Sequence, residues 1–303
     1  MFDIIGDIHG QAKKLQQLLI KLGYQKSDQG FHHPDFKVIF VGDFIDRGPY
    51  QLETLQIVKE MVDSGNAYAV MGNHEFNAIG WMTENQQKPD TFLRQHNHVH
   101  HKQHKVFLSQ VGESSPLHQQ WLSWFKSLPL FLDLSAIRVI HACWDNQVID
   151  KIMPYLDHRH CLKESAIQAA FTPKTALFDY CEVLLKGKEI TLPQGVYYQD
   201  KEGTTRHKSR IKWWLNQADT LNQLCLIPDD EQIDALQRKV DFPLDSYQDC
   251  KPVFFGHYWL TGTPIIQTPY IACVDYSAAL ASGKLVAYRW QGERQLVNQH
   301  FIY

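Results

Sequence analysis

Apolar and polar positions alternate in blocks along the first quarter of the chain. The runs Phe2-Asp3-Ile4-Ile5, Val38-Ile39-Phe40-Val41 and Ala67-Tyr68-Ala69-Val70-Met71 read as short buried strands. Between them, Ala12, Leu15, Leu18, Leu19 and Leu22 recur at helical spacing, as do Leu52, Leu55, Ile57, Val58, Met61 and Val62. Helices joining successive strands predict crossover connections packed on a largely parallel sheet. Each apolar run stops abruptly in a polar cluster. Gly6-Asp7-Ile8-His9-Gly10 follows the first, Gly42-Asp43-Phe44-Ile45-Asp46-Arg47-Gly48-Pro49 the second, and Gly72-Asn73-His74-Glu75 the third. Open α/β sheets bind ligands beyond the carboxyl ends of their strands, so these clusters carry the candidate chemistry.

The pattern then changes. Residues 76–82 continue a short helix, and 83–105 are polar, with His96, His98, His100, His101 and His104. No acidic or cysteine partner is interleaved with these histidines, so a solvated loop or helix face outside the site is expected. Residues 117–130 have amphipathic helical spacing, and 131–134 with 137–140 read as paired strands ending in His141-Ala142-Cys143-Trp144. From Asp145 the strand motifs vanish. Residues 161–171, 174–186 and 231–240 show helical periodicity, punctuated by Pro154, Pro173, Pro193 and Pro228. The expectation is a mostly helical cap insertion, 145–251, inside a catalytic domain of 1–144 and 252–303. The insertion also holds a turn at 200–203 and a basic run from Arg206 to Trp214. Apolar runs resume with Pro252-Val253-Phe254-Phe255-Gly256-His257 and with 270–276. Closing antiparallel strands are expected at 284–290 and 295–301.

Composition narrows the partners. The 303 residues carry a formal charge of −3 with 21% charged positions. No basic excess suggests a nucleic-acid groove, and no apolar stretch is long enough for a bilayer. The six cysteines are scattered without a CxxC pair, and the first residues already form a core strand. A cytoplasmic location, with no membrane or nucleic-acid partner, is therefore expected.

The three clusters, read as GDxHG, GDxxDRG and GNHE in that order, resemble the calcineurin-like metallophosphoesterases. The resemblance is to the branch of phosphoprotein phosphatases and symmetrical diadenosine tetraphosphate hydrolases. It implies an α/β (α+β) fold, a β-sandwich flanked by helices. It also implies two divalent metal ions, Mn²⁺ above Fe or Zn²⁺. Asp7, His9 and Asp43 would hold the first, with Asp43 bridging to a second completed by Asn73, His141 and His257. His74 would act as general acid, with Asp46 orienting its ring, and Arg47 would grip phosphate oxygens. A second arginine from the middle region is implied, Arg210 or alternatively Arg206. Asp275 would support the site rather than bind metal. Two departures from the family's pattern stand out: Cys143 and Ser277 occupy places where glycine is common.

The chemistry implied is direct attack by a hydroxide bridging two metals, without a phosphoenzyme. Two metals about 3.5–4 Å apart generate such a nucleophile at neutral pH and clamp both the attacking and the leaving oxygens. Cys143 lacks the CxxxxxR context of a cysteine-phosphatase loop. The first expectation is a phosphomonoesterase acting on a phosphoprotein, the alternative a symmetrical diadenosine tetraphosphate hydrolase. Retention of every motif residue speaks against a scaffold that has lost catalysis.

Overall fold

The computed structural model describes residues 1–28, 30–199, 205–227, 234–240, 242, 244 and 247–303. The first part alternates as the apolar blocks predict: β1 (Phe2–Ile5), α1 (Ala12–Lys21), a hairpin of β2 (Gln25–Ser27) and β3 (Gly30–His32), β4 (Lys37–Phe40), α2 (Gln51–Asp63), β5 (Ala67–Ala69) and α3 (Asn73–Met82). Then come α4 (His98–Val111), α5 (Pro116–Lys126), β6 (Phe131–Asp133) and β7 (Arg138–Ile140). Between residues 145 and 251 lie α6 (Asn146–Ile152), α7 (Ile167–Ala170), α8 (Ala176–Lys186), β8 (Glu189–Thr191), β9 (Tyr198–Gln199), β10 (Thr205–Arg206), β11 (Lys208–Arg210) and α9 (Leu221–Leu224). The chain closes with β12 (Val253–Phe255), β13 (Ile271–Cys273), β14 (Asp275–Tyr276), β15 (Lys284–Leu285), β16 (Ala287–Trp290) and β17 (Phe301–Ile302).

Two sheets face each other. The first has five strands in the order β17-β16-β1-β4-β5, the second four in the order β13-β12-β7-β6. Period-two alternation gives every strand two destinations. Ile4, Ile39, Val139, Phe254 and Ala272 point into the layer between the sheets. Their neighbours Ile5, Phe40, Ile140, Phe255 and Cys273 point outward into the layer covered by helices. Helix α1 contributes Ala12, Leu15, Leu18 and Leu19 to that outer layer, and α2 adds Leu55, Ile57, Val58 and Met61.

Strand direction places the chemistry. β1, β4 and β5 run parallel, so their three polar clusters emerge at one edge. In the second sheet β7, β12 and β13 are also parallel, delivering His141, His257 and Asp275. The backbones of these loops nearly touch. A Cβ on Gly72 would lie 2.2 Å from both the amide nitrogen and Oδ1 of Asp43, so only glycine lets the third cluster close on the second.

Two parts of the chain differ from the sequence expectation. The segment 145–251 is mainly helical only in its first half; from Glu189 its described strands pair as two short ribbons, β8 with β11 and β9 with β10, and helix is limited to single turns such as α9. Ile149, Ile152, Leu184, Leu185, Trp213 and Trp214 share one apolar cluster with Phe255, so much of the segment packs directly on the sandwich. The expected turn at 200–203 and the first three residues of the expected helix at 231–240 lie outside the described residues; of the rest, only Asp234–Gln237 coil, as a single 3-10 turn. Of 295–301, only Phe301 enters a strand, pairing with Tyr288. No helix among the described residues is long and apolar enough to cross a membrane.

Candidate active site

Asp43 sits at the centre, 1% exposed. The Nε2 atoms of His9 and His74 lie 3.7 and 3.9 Å from its Oδ2, and Nε2 of His141 lies 3.5 Å from its Oδ1. Nε2 of His141 also stands 3.0 Å from Oδ1 of Asn73 and 3.2 Å from Nδ1 of His257. Backbone carbonyls fix two of the rings through their Nδ1 atoms: Ile45 holds His9 at 3.0 Å and Val41 holds His141 at 2.8 Å. Those carbonyls require the hydrogen on Nδ1, which leaves each Nε2 with a free lone pair. Two overlapping groups result, His9–Asp43–His74 and Asp43–His141–His257, each with its ligand atoms within 4.8 Å of one another. Asp7 approaches differently, its carboxylate accepting the His257 amide at 3.1 Å.

Electrostatics agree with a cationic occupant. Burial pushes His9 down to about 3, with Arg47 and His74 adding to the effect. His257 falls well below its ordinary value, through burial first and then Arg210 and His141. Burial likewise lowers His141. These imidazoles are neutral donors at physiological pH. Asp7 is pushed well above the carboxylate range by burial and by the charges of Asp275 and Asp43. Nε2 of His9, Oδ2 of Asp43 and Nε2 of His257 are buried without a hydrogen-bond partner. Lone pairs left orphaned in this way are costly unless something positive meets them. The mixed nitrogen and oxygen donors suit a first-row divalent ion.

Beside this centre, Nδ1 of His74 contacts Oδ2 of Asp46 at 2.6 Å. Burial works to lower the His74 pKa, but Asp43 and Asp46 outweigh it, and the net shift is upward. Glu75 organises the loops. Its carboxylate accepts the amides of Asp43, Phe44, Ile45 and Gly72 at 2.9, 2.8, 3.3 and 3.1 Å. Asp275 takes the amides of Trp259 at 2.7 Å and Ser277 at 2.9 Å. His9, Asp43, Asp46, Arg47, His257, Trp259 and Ser277 all hold φ between +48° and +69°. Backbone strain is thus concentrated where function is expected. Ser277 accepts the left-handed geometry despite its Cβ, which explains how that loop dispenses with glycine.

A cleft of about 430 Å³ opens over the centre. Arg47 and Arg210 both line it, their guanidinium carbons 5.0 and 5.2 Å from the Trp259 ring centre. Arg206 lines it as well and is exposed, while Nε of Arg210 is buried without a partner. Arg94, Lys102, Lys105 and Lys186 extend the positive lining.

The histidine run departs from expectation. His96 stacks on Trp81 and Phe92, with centroids at 3.8 and 4.3 Å. His104 is 4% exposed, lines the cleft and bonds Asp46. The sequence did carry a signal: His104 shares the apolar face of α4 with Phe107, Leu108 and Val111. Trp259 was missed as a site residue, since nothing in its local spacing distinguishes it, and Glu75, although it ends the GNHE cluster, was given no role.

Two stacked sheets emptying carboxylates, imidazoles and arginines onto one edge define the metallophosphoesterase type of α/β sandwich. Residues 1–149 match the family model of the calcineurin-like phosphoesterases. It is 49% identical over 74 residues to the asymmetrical bis(5'-nucleosyl)-tetraphosphatase PrpE of Halalkalibacterium halodurans, covering 24% of this chain and 30% of that one. With the protein of the same name from Oceanobacillus iheyensis the identity is 42% over 73 residues, 24% of this chain and 29% of the relative. The chain thus matches less than a third of these relatives' length. A solved serine/threonine phosphatase of Saccharomyces cerevisiae, described as similar to human phosphatase PP5, superposes with a TM-score of 0.52 at 14% identity. That likeness covers 99% of this chain and 78% of that one, and it shows the fold alone.

Proposed function

We propose that the chain is a metal-dependent phosphoesterase whose preferred substrate is a nucleoside polyphosphate. The observation that carries this reading is the cleft. Orphaned donor atoms of His9 and His257 lie in its lining, and Arg94, Lys102, Lys105 and Arg206 line it beyond the Arg47–Arg210 pair, with Lys186 paired to Glu182. A single phosphate cannot engage that much positive charge, whereas a chain of phosphates can. The sequence alone had placed a phosphoprotein first. The charge of the cleft, with relatives named as dinucleoside tetraphosphatases, supports the nucleotide instead.

Asp7, His9, Asp43, Asn73, His141 and His257 would hold two divalent ions, Mn²⁺ being the first choice. Those ions would supply Lewis acidity and an activated water at neutral pH. Arg47 and Arg210, steadied on Trp259, present forks to the non-bridging oxygens of the reacting phosphate. His74 keeps its Nδ1 proton on Asp46, so its Nε2 is the atom that protonates the leaving oxygen.

Steady-state hydrolysis of 4-nitrophenyl phosphate, phosphoserine and phosphotyrosine peptides, and diadenosine tetraphosphate with Mn²⁺ tests the proposal. The dinucleotide is expected to show the highest kcat/KM. Peptide turnover above it would restore the phosphoprotein reading. The products separate the two modes of cleavage: ATP with AMP matches the asymmetrical label of the relatives, and two ADP the symmetrical alternative.

A further inference from the structure

We propose that His104 is a positioning residue for the general acid, holding the Asp46 carboxylate from the side opposite His74. The proposal rests on His74 being that acid. Asp46 has two oxygens, and each meets one imidazole: Oδ2 faces Nδ1 of His74 at 2.6 Å, and Oδ1 faces Nδ1 of His104 at 2.7 Å. The carboxylate is 3% exposed and His104 4%, so no bulk water competes for these contacts. An ionised carboxylate only accepts, which places a proton on Nδ1 of both rings.

The surroundings of Asp46 make the second contact consequential. Its backbone lies in the left-handed region at φ +69°, and its amide donates to Oε1 of Gln51 at 2.6 Å. Gln51 anchors the main chain but leaves the carboxylate plane free to turn. His104 stops that rotation. The ring is itself seated between Trp81 and Phe107, with centroids 5.9 and 5.0 Å away, on the buried face of α4. That helix follows the three motif clusters, so it braces the acid from outside the metal-site loops. Burial alone would raise the Asp46 pKa, yet His104 and then His74 hold it below the ordinary carboxylate value.

Removing His104 leaves Oδ1 buried without a donor, and the carboxylate turns or admits water to recover one. The His74 ring then loses its bearing toward the leaving oxygen. His104→Phe fills the space between Trp81 and Phe107 without offering a donor. His104→Gln offers an amide N–H to the same oxygen. His104→Leu is the second packing variant, used if the phenylalanine does not fold.

The readout is kcat and KM with Mn²⁺ on two phosphate esters, one with an alkyl leaving group and one with 2,4-dinitrophenolate, which departs without a proton. His104→Phe is expected to lower kcat on the alkyl ester about tenfold, a fraction of the 10²–10⁴ that general acid catalysis supplies. Its KM stays unchanged, the activated ester is nearly unaffected, and His104→Gln recovers most of the loss. Equal losses on both esters, or a glutamine variant as impaired as phenylalanine, would overturn the proposal. His74→Asn separates the two levels of the argument. If it shows the leaving-group preference while His104→Phe does not, the positioning role alone falls. If it shows none, the acid assignment falls and the positioning role with it.

Discussion

The Glu75 carboxylate accepts the backbone amide of Asp43 at 2.9 Å, joining the third motif to the residue at the centre of the site. It also takes the amides of Phe44, Ile45 and Gly72, so one fully buried side chain closes the loop after β4 onto the start of α3. The position of Asp43, at φ +54°, therefore depends on an acceptor thirty-two residues away.

Glu75→Gln is expected to destabilise the fold. One carboxylate oxygen becomes an NH₂ that faces amide donors instead of accepting them. Each buried donor left unpaired costs about 1–3 kcal/mol, so a total of roughly 2–4 kcal/mol is expected in urea unfolding of the metal-free protein. A midpoint equal to wild type would show that the four amides find other partners.

Trp259 gives a different kind of lesion. It touches both guanidinium groups without a hydrogen bond of its own to substrate. Cation–π contacts are worth about 0.5–2 kcal/mol, so Trp259→Leu is expected to raise KM roughly three- to tenfold. The melting temperature should change little, because the ring is only half-buried. A fall in kcat with unchanged KM would place Trp259 in the chemical step rather than in arginine placement.

Asp145 links the first helix of the insertion to the loop after α8. It caps α6 through Oδ1 to the Val148 amide at 2.9 Å, and Oδ2 pairs with Nζ of Lys188 at 2.7 Å. Burial works to raise its pKa, but the Lys188 and backbone hydrogen bonds prevail and lower it below 3.8. A depressed carboxyl contributes stability that is fully present above its unfolded pKa and is lost as pH falls through the folded one. The contribution should therefore fade below about pH 4. Asp145→Asn keeps the cap but not the charge, so it should remove that part of the acid dependence. Asp145→Ala should cost about 1 kcal/mol further through the lost cap. Identical melting behaviour of the two variants at neutral pH would remove the cap from the account.

Much of this architecture can be read from local pattern. Ile4 beside Ile5 and Ile39 beside Phe40 announce strands with two buried faces, and the leucines of α1 announce their own partner. His141 and His257 were legible because each terminates an apolar run. His104 was not, because its neighbours in sequence are polar histidines and its partner Asp46 is fifty-eight residues away. Its helical spacing from Phe107, Leu108 and Val111 places it on a buried face, but no local pattern says that a carboxylate waits there. The later insertion was harder still. Short strands such as Tyr198–Gln199 and Thr205–Arg206 bury too little to leave a periodic signature. The pairing of Arg47 and Arg210 on Trp259 arises from two loops and the end of β11 and is a property of the fold alone.

Metal occupancy can be tested without following turnover. If ions meet the orphaned atoms of His9, Asp43 and His257, Mn²⁺ should raise the melting temperature, because it binds the folded form alone. At a hundredfold excess over Kd one site adds about 2.7 kcal/mol, or several degrees for a chain of this size. Gly256→Ala tests whether Asp7 belongs to that site. A Cβ there would lie 2.0 Å from Oδ1 of Asp7, so the carboxylate must swing away, while the Val41 side chain at 2.8 Å gives way more easily. The variant is expected to melt within a few degrees of the metal-free wild type and to lose most of the Mn²⁺-dependent rise. A full rise in Gly256→Ala would show that Asp7 supports the His257 amide and does not hold metal. No rise in the wild type would remove the metal centre itself.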